Sequence, residues 1–123
     1  MPTLNDRVFD NGLTVLDTEA NRVDICSQEP ATYTAATSTY SLGNTTSISI
    51  SAPTDGDTSG RKVTLAAITG ASVSGTGDAT HYAISDTSNT RLLVTGSLSA
   101  SQAVTSGNTF SLDAVDIELN DPS

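Results

Sequence analysis

The sequence predicts an all-β protein: an antiparallel β-sandwich or small barrel of about six to eight strands, preceded by an N-terminal α-helix. Three observations carry this. Ser and Thr supply about three residues in ten and sit among β-branched residues at alternate positions, the period of a strand with one buried face. Polar segments that favour turns, "PTDGDTSG", "GTGD", "DTSN" and "TSGN", recur between those runs. Only the opening residues depart from this texture, with apolar side chains spaced at nearly 3.6 residues.

The length of 123 residues suits one core, divided by texture into a helical segment, 1–20, and a β-sandwich domain, 21–123. In the first, Leu4, Val8, Phe9, Leu13 and Leu16 form a stripe, and Thr3 with Asp6 resembles a capping box. This predicts a helix over 4–17, weakened by about 1 kcal/mol at Gly12 relative to Ala. The strands then follow as "RVDICS", "TTSISISA", "RKVTLAAITG", "ATHYAISD", "TRLLVTGSL" and "TFSLDAVDIEL". Between the first two, "QEPATYTAATSTYSLGN" has room for one helical turn before Gly43. In the last, Phe110, Leu112 and Ala114 share one face while Val115, Ile117 and Leu119 share the other. The apolar face therefore switches near Ala114, which requires a bulge or a second burying partner.

With 36% apolar and 4% aromatic residues and no Trp, the core is thin, which favours a homo-oligomer or larger assembly, a trimer among the options. Net charge is −9, from 14 acidic against 5 basic residues, and Lys62 is the only lysine. No basic stripe exists to meet phosphates or anionic lipid, so neither nucleic acid nor a membrane surface is an expected partner. No run of about 18 apolar residues occurs, and the start lacks the basic and apolar regions of a signal peptide, so synthesis in a cytoplasm is expected. Cys26 stands alone and forms no internal disulfide.

Few residues invite chemistry. His81 is the only histidine, and strand alternation turns it, with Ala83 and Ser85, away from Thr80, Tyr82 and Ile84. No nucleophile signature accompanies it, so a hydrogen-bonded or solvated strand histidine is expected, with no catalytic residue and no enzyme activity. Asp55, Asp57, Ser59 and Gly60 occupy positions 1, 3, 5 and 6 of a calcium loop, but the twelfth is Ala66 instead of a bidentate glutamate. A plain solvated turn is the expectation, with no cofactor or metal. One His and one Cys lie too far apart in sequence to suggest a transition-metal site. Asn44 in "NTT" is a formal glycosylation acceptor, and Lys62 a formal isopeptide donor better read as an exposed strand lysine. Asp113, Asp116, Glu118 and Asp121 make the end of the chain negative, which protects a solvated edge or suits a basic partner.

Three stretches, "DICSQEPATYTAATSTYSLGNTTSISI", "GDATHYAISDTSNTRLLVTGSLS" and "QAVTSGNTFSLDAVDIEL", together resemble small structural proteins of tailed-bacteriophage virions, most like capsid decoration, or cement, proteins. The resemblance implies a β-rich domain on the capsid exterior that binds the major capsid protein, commonly as an oligomer, and stiffens the lattice. The alternative it leaves open is a tail or fibre component with a receptor- or carbohydrate-binding β module. The residues expected to touch the partner are Leu4, Val8 and Phe9 of the helix with Val115, Ile117 and Leu119 of the last strand. On this expectation residues 1–18 are a docking element that can be deleted without unfolding the β domain.

Overall fold

The computed structural model describes residues 6–57 and 60–119, with side chains from residue 10 onward. The architecture is antiparallel β with a short N-terminal helix, α1 (Asp6–Glu19). Nine strands follow among the described residues: β1 (Arg22–Cys26), β2 (Ser41–Thr45), β3 (Thr54–Asp55), β4 (Arg61–Leu65), β5 (Ile68–Val73), β6 (Gly77–Asp86), β7 (Arg91–Val104), β8 (Thr109–Leu112) and β9 (Val115–Leu119). They form a six-stranded sheet, β7-β6-β1-β2-β5-β8, and a three-stranded one, β3-β4-β9.

Two compact units result; the chain passes from one to the other at 19/20, close to the expected division, but later segments return to the helix. The first takes the described parts of segments 1–19, 49–67 and 113–123, and the second takes 20–48 and 68–112. The helix thus belongs with the smaller sheet. Two segments that alternation alone reads as single strands cause this. "RKVTLAAITG" breaks at Ala66–Ala67 into β4 and β5, and "TFSLDAVDIEL" breaks at Asp113–Ala114 into β8 and β9, the halves joining different sheets. The face switch at Ala114 is therefore a change of sheet, with a new burying partner for Val115 and Ile117.

In the first unit, Arg61, Val63 and Leu65 of β4 share a face with their β9 partners Leu119, Ile117 and Val115. That face meets α1, because Arg61 Nε lies 2.9 Å from Asp10 Oδ1 of the helix. Val63 and Leu65 are fully buried, and Leu13 and Leu16 of α1 are buried too. Deleting residues 1–18 would therefore uncover this core instead of leaving it intact, because Leu13 and Leu16 are its roof. The predicted start of the helix at Leu4 lies outside the described residues, and its end extends to Glu19.

In the second unit β1 is a central strand, bonded to β2 and β6. Its Val23 and Ile25 are buried on one face together with Ile84 of β6. The other face carries Asp24 and Cys26 and is covered by the predicted helical turn, which forms as a π-helical turn, Ala35–Thr39. Ala36 of that turn packs on Cys26 and Ala83, with Tyr40 and Leu92 beside them. The chain leaves the turn into β2 and runs through Gly43, whose close approach to β5 explains the glycine: a Cβ there would lie 2.6 Å from Ser72 O. The expected strand "TTSISISA" is otherwise absent, leaving only an isolated bridge from Ile50 to Leu65. The sheet curls, since Gln102 of β7 donates through Nε2 to Ser111 O of β8, at the opposite edge, at 3.2 Å.

Asp24 is fully buried and completely engaged. Arg22 donates to it twice, Nε to Oδ1 at 2.8 Å and Nη2 to Oδ2 at 2.9 Å, and Ser41 Oγ donates to Oδ2 at 2.6 Å. Arg22 Nη2 also donates to Thr37 O at 3.1 Å, which ties the π-helical turn to the sheet. Replacing Arg22→Ala strands a carboxylate away from water, so denaturant unfolding should show a loss of about 3–5 kcal/mol. A loss below about 1 kcal/mol, the value of an exposed pair, would contradict this account.

The β6–β7 hairpin is closed by Asp86, which accepts from Ser88 N–H at 3.0 Å and from Asn89 Nδ2 at 2.7 Å, next to Thr90 at a φ of 51°. The Asn89 hydrogen bond, with help from the Ser88 and Asn89 amides, holds the Asp86 carboxyl below its usual value near 3.8. Its contribution to stability is complete above that value and is lost as pH falls through the lower folded value. Thermal melts from pH 5 down to pH 2 should therefore show a shallower acid-side fall for Asp86→Asn than for the wild type.

Candidate docking surface

His81 lies on β6 opposite Cys26 of β1 and Ser97 of β7. Its Nδ1 is 2.9 Å from Thr80 Oγ1, which itself donates to Ser27 O at 3.0 Å. Thr80 has one hydroxyl proton for two acceptors, so which partner donates in its contact with His81 Nδ1 follows the imidazole tautomer. The side to which alternation turns His81 is not solvent throughout, because the π-helical turn packs over Ala83 and Cys26 there. Distance in sequence concealed a further feature: Cys26 and His81, 55 positions apart, are cross-strand neighbours. Their arrangement opposes thiol activation. Cys26 is fully buried, points its Sγ at Ala36 O at 3.5 Å, and burial pushes its thiol up to about 12.

Asp55 and Asp57 do not converge as calcium ligands would. Asp55 Oδ1 lies 2.7 Å from Arg61 Nη1 and Asp57 Oδ1 lies 2.7 Å from Lys62 Nζ, and these two successive β4 residues point to opposite faces. Ser59 lies outside the described residues. Lys62 also meets Asp116 Oδ2 at 3.2 Å, and Asp116 Oδ1 accepts from Thr64 Oγ1 at 2.8 Å. Hydrogen bonds from Thr64 and then Lys62 hold the Asp116 carboxyl low, while those to Asp57 and Asp116 hold the Lys62 ammonium high. Amide formation needs a neutral amine and a protonated carboxyl, so this pair is an ion pair. Asn44 is bonded into the sheet opposite both Asp24 and Ser72.

The residues expected to touch a partner fall largely in the first unit. Leu4 lies outside the described residues. Val8 and Phe9 belong to α1, though their side chains are also outside the description. Val115 and Ile117 are half-buried on the β9 face that meets the helix. Leu119, at the end of that face, is 41% exposed, and Val15 of α1 is 37% exposed. These are the two large apolar side chains left exposed among the described residues, and both belong to this unit. They are linked by Gly12, an exposed helix position one turn before Val15, where a Cβ would lie 3.9 Å from Leu119 Cδ1. Alternation singled out Leu119; the exposure of Val15 could have been inferred from its place off the Leu13–Leu16 stripe.

Among the described residues, aromatic rings offer no comparable surface. Phe110 is buried, Tyr33 and Tyr40 are half-buried, and the half-buried Tyr82 ring covers Gly96 on the neighbouring strand. Burial pushes the Tyr82 hydroxyl above its ordinary value. Among the described residues no helix is long and apolar enough to cross a membrane. No protein-family profile, curated protein or solved structure matches this chain.

The state of Cys26 is checked by alkylation. Raising the thiol from 9.0 to about 12 lowers the thiolate fraction at neutral pH by roughly 1000-fold. Iodoacetamide should therefore label the native protein only as it unfolds, and denatured protein at the rate of a free thiol. Because the folded value lies above the unfolded one, this contribution to stability is complete below pH 9 and declines as pH rises towards 12.

Proposed function

We propose that this protein is a structural component of a tailed-phage virion that docks on the outer surface of the capsid and stabilises its lattice. The observation that carries the reading is the junction of α1 and β9, where a Cβ at Gly12 would lie 3.9 Å from Leu119 Cδ1 and where Leu119 and Val15, one turn after Gly12, are the large apolar side chains exposed among the described residues. Exposed apolar positions that adjoin one another mark contact surfaces. Two side chains make a small contact, and a small contact suits a protein repeated over a symmetric shell, where many copies act together. The charge of −9 selects a partner surface that is basic around an apolar centre. The resemblance to capsid decoration proteins points to the major capsid protein as that partner.

The fibre reading is weaker on the same evidence of side chains. Sugar recognition draws on exposed aromatic faces, and each described ring is buried or half-buried.

Co-sedimentation with expanded, undecorated capsids tests the proposal. The wild type should saturate at a fixed ratio to capsid subunits. Val15→Asp and Leu119→Asp change exposed positions and should keep the melting temperature within a few degrees while weakening binding at least about tenfold, equivalent to about 1.4 kcal/mol. Failure of the wild type to saturate, or unchanged binding by both variants, would overturn the reading.

A further inference from the structure

We propose that the open edge of β9 accepts an extended segment of the partner protein as a fourth strand, one that alternates apolar and basic residues. This deepens the docking reading and rests on it. β9 is an edge strand, hydrogen-bonded on one side only, to β4, among the described residues. The other long edge is differently made. Between His81 and Ala79 the register of β6 with β7 jumps from Ser97 to Gln102, so residues 98–101 bulge, a device that resists pairing with another strand. At the far side of that sheet, the four-residue β8 already receives Gln102. β9 has no register shift along its pairing with β4, from Arg61↔Leu119 to Leu65↔Val115.

The chemistry of the occupant follows from the two faces of β9. Val115, Ile117 and Leu119 lie on the helix side, and Leu119 and Val15 leave apolar surface there uncovered. Gly12 fits this edge. Among the described residues a Cβ at that position would meet only Leu119, at an ordinary 3.9 Å, so their packing does not require glycine, although glycine weakens a helix. Its absent side chain leaves Leu119 Cδ1 less covered than any other residue at position 12 would. On the opposite face Asp57 and Asp116 both meet one ammonium, that of Lys62, so the carboxylates at this contact outnumber the cation. An incoming strand therefore places apolar side chains beside Leu119, and lysine or arginine beside Asp116. Main-chain hydrogen bonds supply affinity in strand addition, and alternate side chains supply the selection.

Two peptides and the intact protein test this. A synthetic peptide alternating valine and lysine should shift the amide resonances of 115–119 and 12–15, and should protect from exchange the β9 amides that point away from β4. The same peptide with glutamate in place of lysine should bind at least tenfold more weakly, a difference about 1.4 kcal/mol in size. Gly12→Ala should raise the melting temperature yet weaken binding of the lysine peptide. Equal binding of the two peptides, no added protection on β9, or undiminished binding by Gly12→Ala would each overturn the inference. If decorated capsids protect the helix but leave 115–119 exchanging as in the free protein, docking stands and strand addition fails. If capsids do not bind while the lysine peptide protects β9, strand addition stands and the capsid reading fails.

Discussion

The larger sheet depends on a carboxylate that has no access to water. Asp24 occupies the middle of β1, a strand with neighbours on both sides and buried residues on both faces, and a charge there is tolerable only because Arg22 and Ser41 satisfy it. The interaction reaches beyond local pairing. Arg22 continues to Thr37 O, so the same guanidinium that neutralises Asp24 holds the π-helical turn over Cys26 and Ala83. An apolar pair of similar volume could match its stability, but not that fork of directional bonds joining β1, β2 and the turn. With so few aromatic and apolar residues, position in this unit is set by directed polar bonds as much as by packing.

Cover by a second element explains the chemistry of the larger sheet and the shape of the smaller one. Burial under Ala36 turns Cys26 into an inert thiol although His81 is its cross-strand neighbour. In the smaller unit, α1 roofs Val63 and Leu65 with Leu13 and Leu16, but the helix meets a sheet whose one side is the two-residue β3 and whose other side ends at β9. Arg61, bonded to Asp10 and Asp55, anchors the helix near β3. Leu119 of β9 comes to the surface, as do Gly12 and Val15 of the helix. A helix over an unfinished sheet edge is the physical basis of the docking proposal.

Much of this was legible in the chain itself. Alternation with Ser/Thr-rich texture gave antiparallel β structure, the 3.6-residue spacing gave α1, and turn chemistry gave the β6–β7 hairpin at "DTSN". The change of apolar face at Ala114 was visible, because strand parity is a local property. Its meaning was not. A parity change looks the same whether it produces a bulge or sends β9 to another sheet, and "RKVTLAAITG", whose division at Ala66–Ala67 has no turn residue to mark it, gave no warning. The strand expected in "TTSISISA" alternates correctly yet finds only one bridge, since alternation measures the fitness of a segment for a sheet and not the presence of a partner.

The sequence by itself determined the class of fold, the acidic surface, and the roster of side chains available for chemistry. Tertiary structure alone decided which of them meet: Asp24 with Ser41, Cys26 with His81, Arg61 with both Asp10 and Asp55, Leu119 with Gly12. Period and composition act within a few residues, whereas these contacts join positions as distant as 12 and 119 and depend on strand register and sheet order. Register and order are settled when competing pairings are compared over the whole chain, and no single segment contains that comparison.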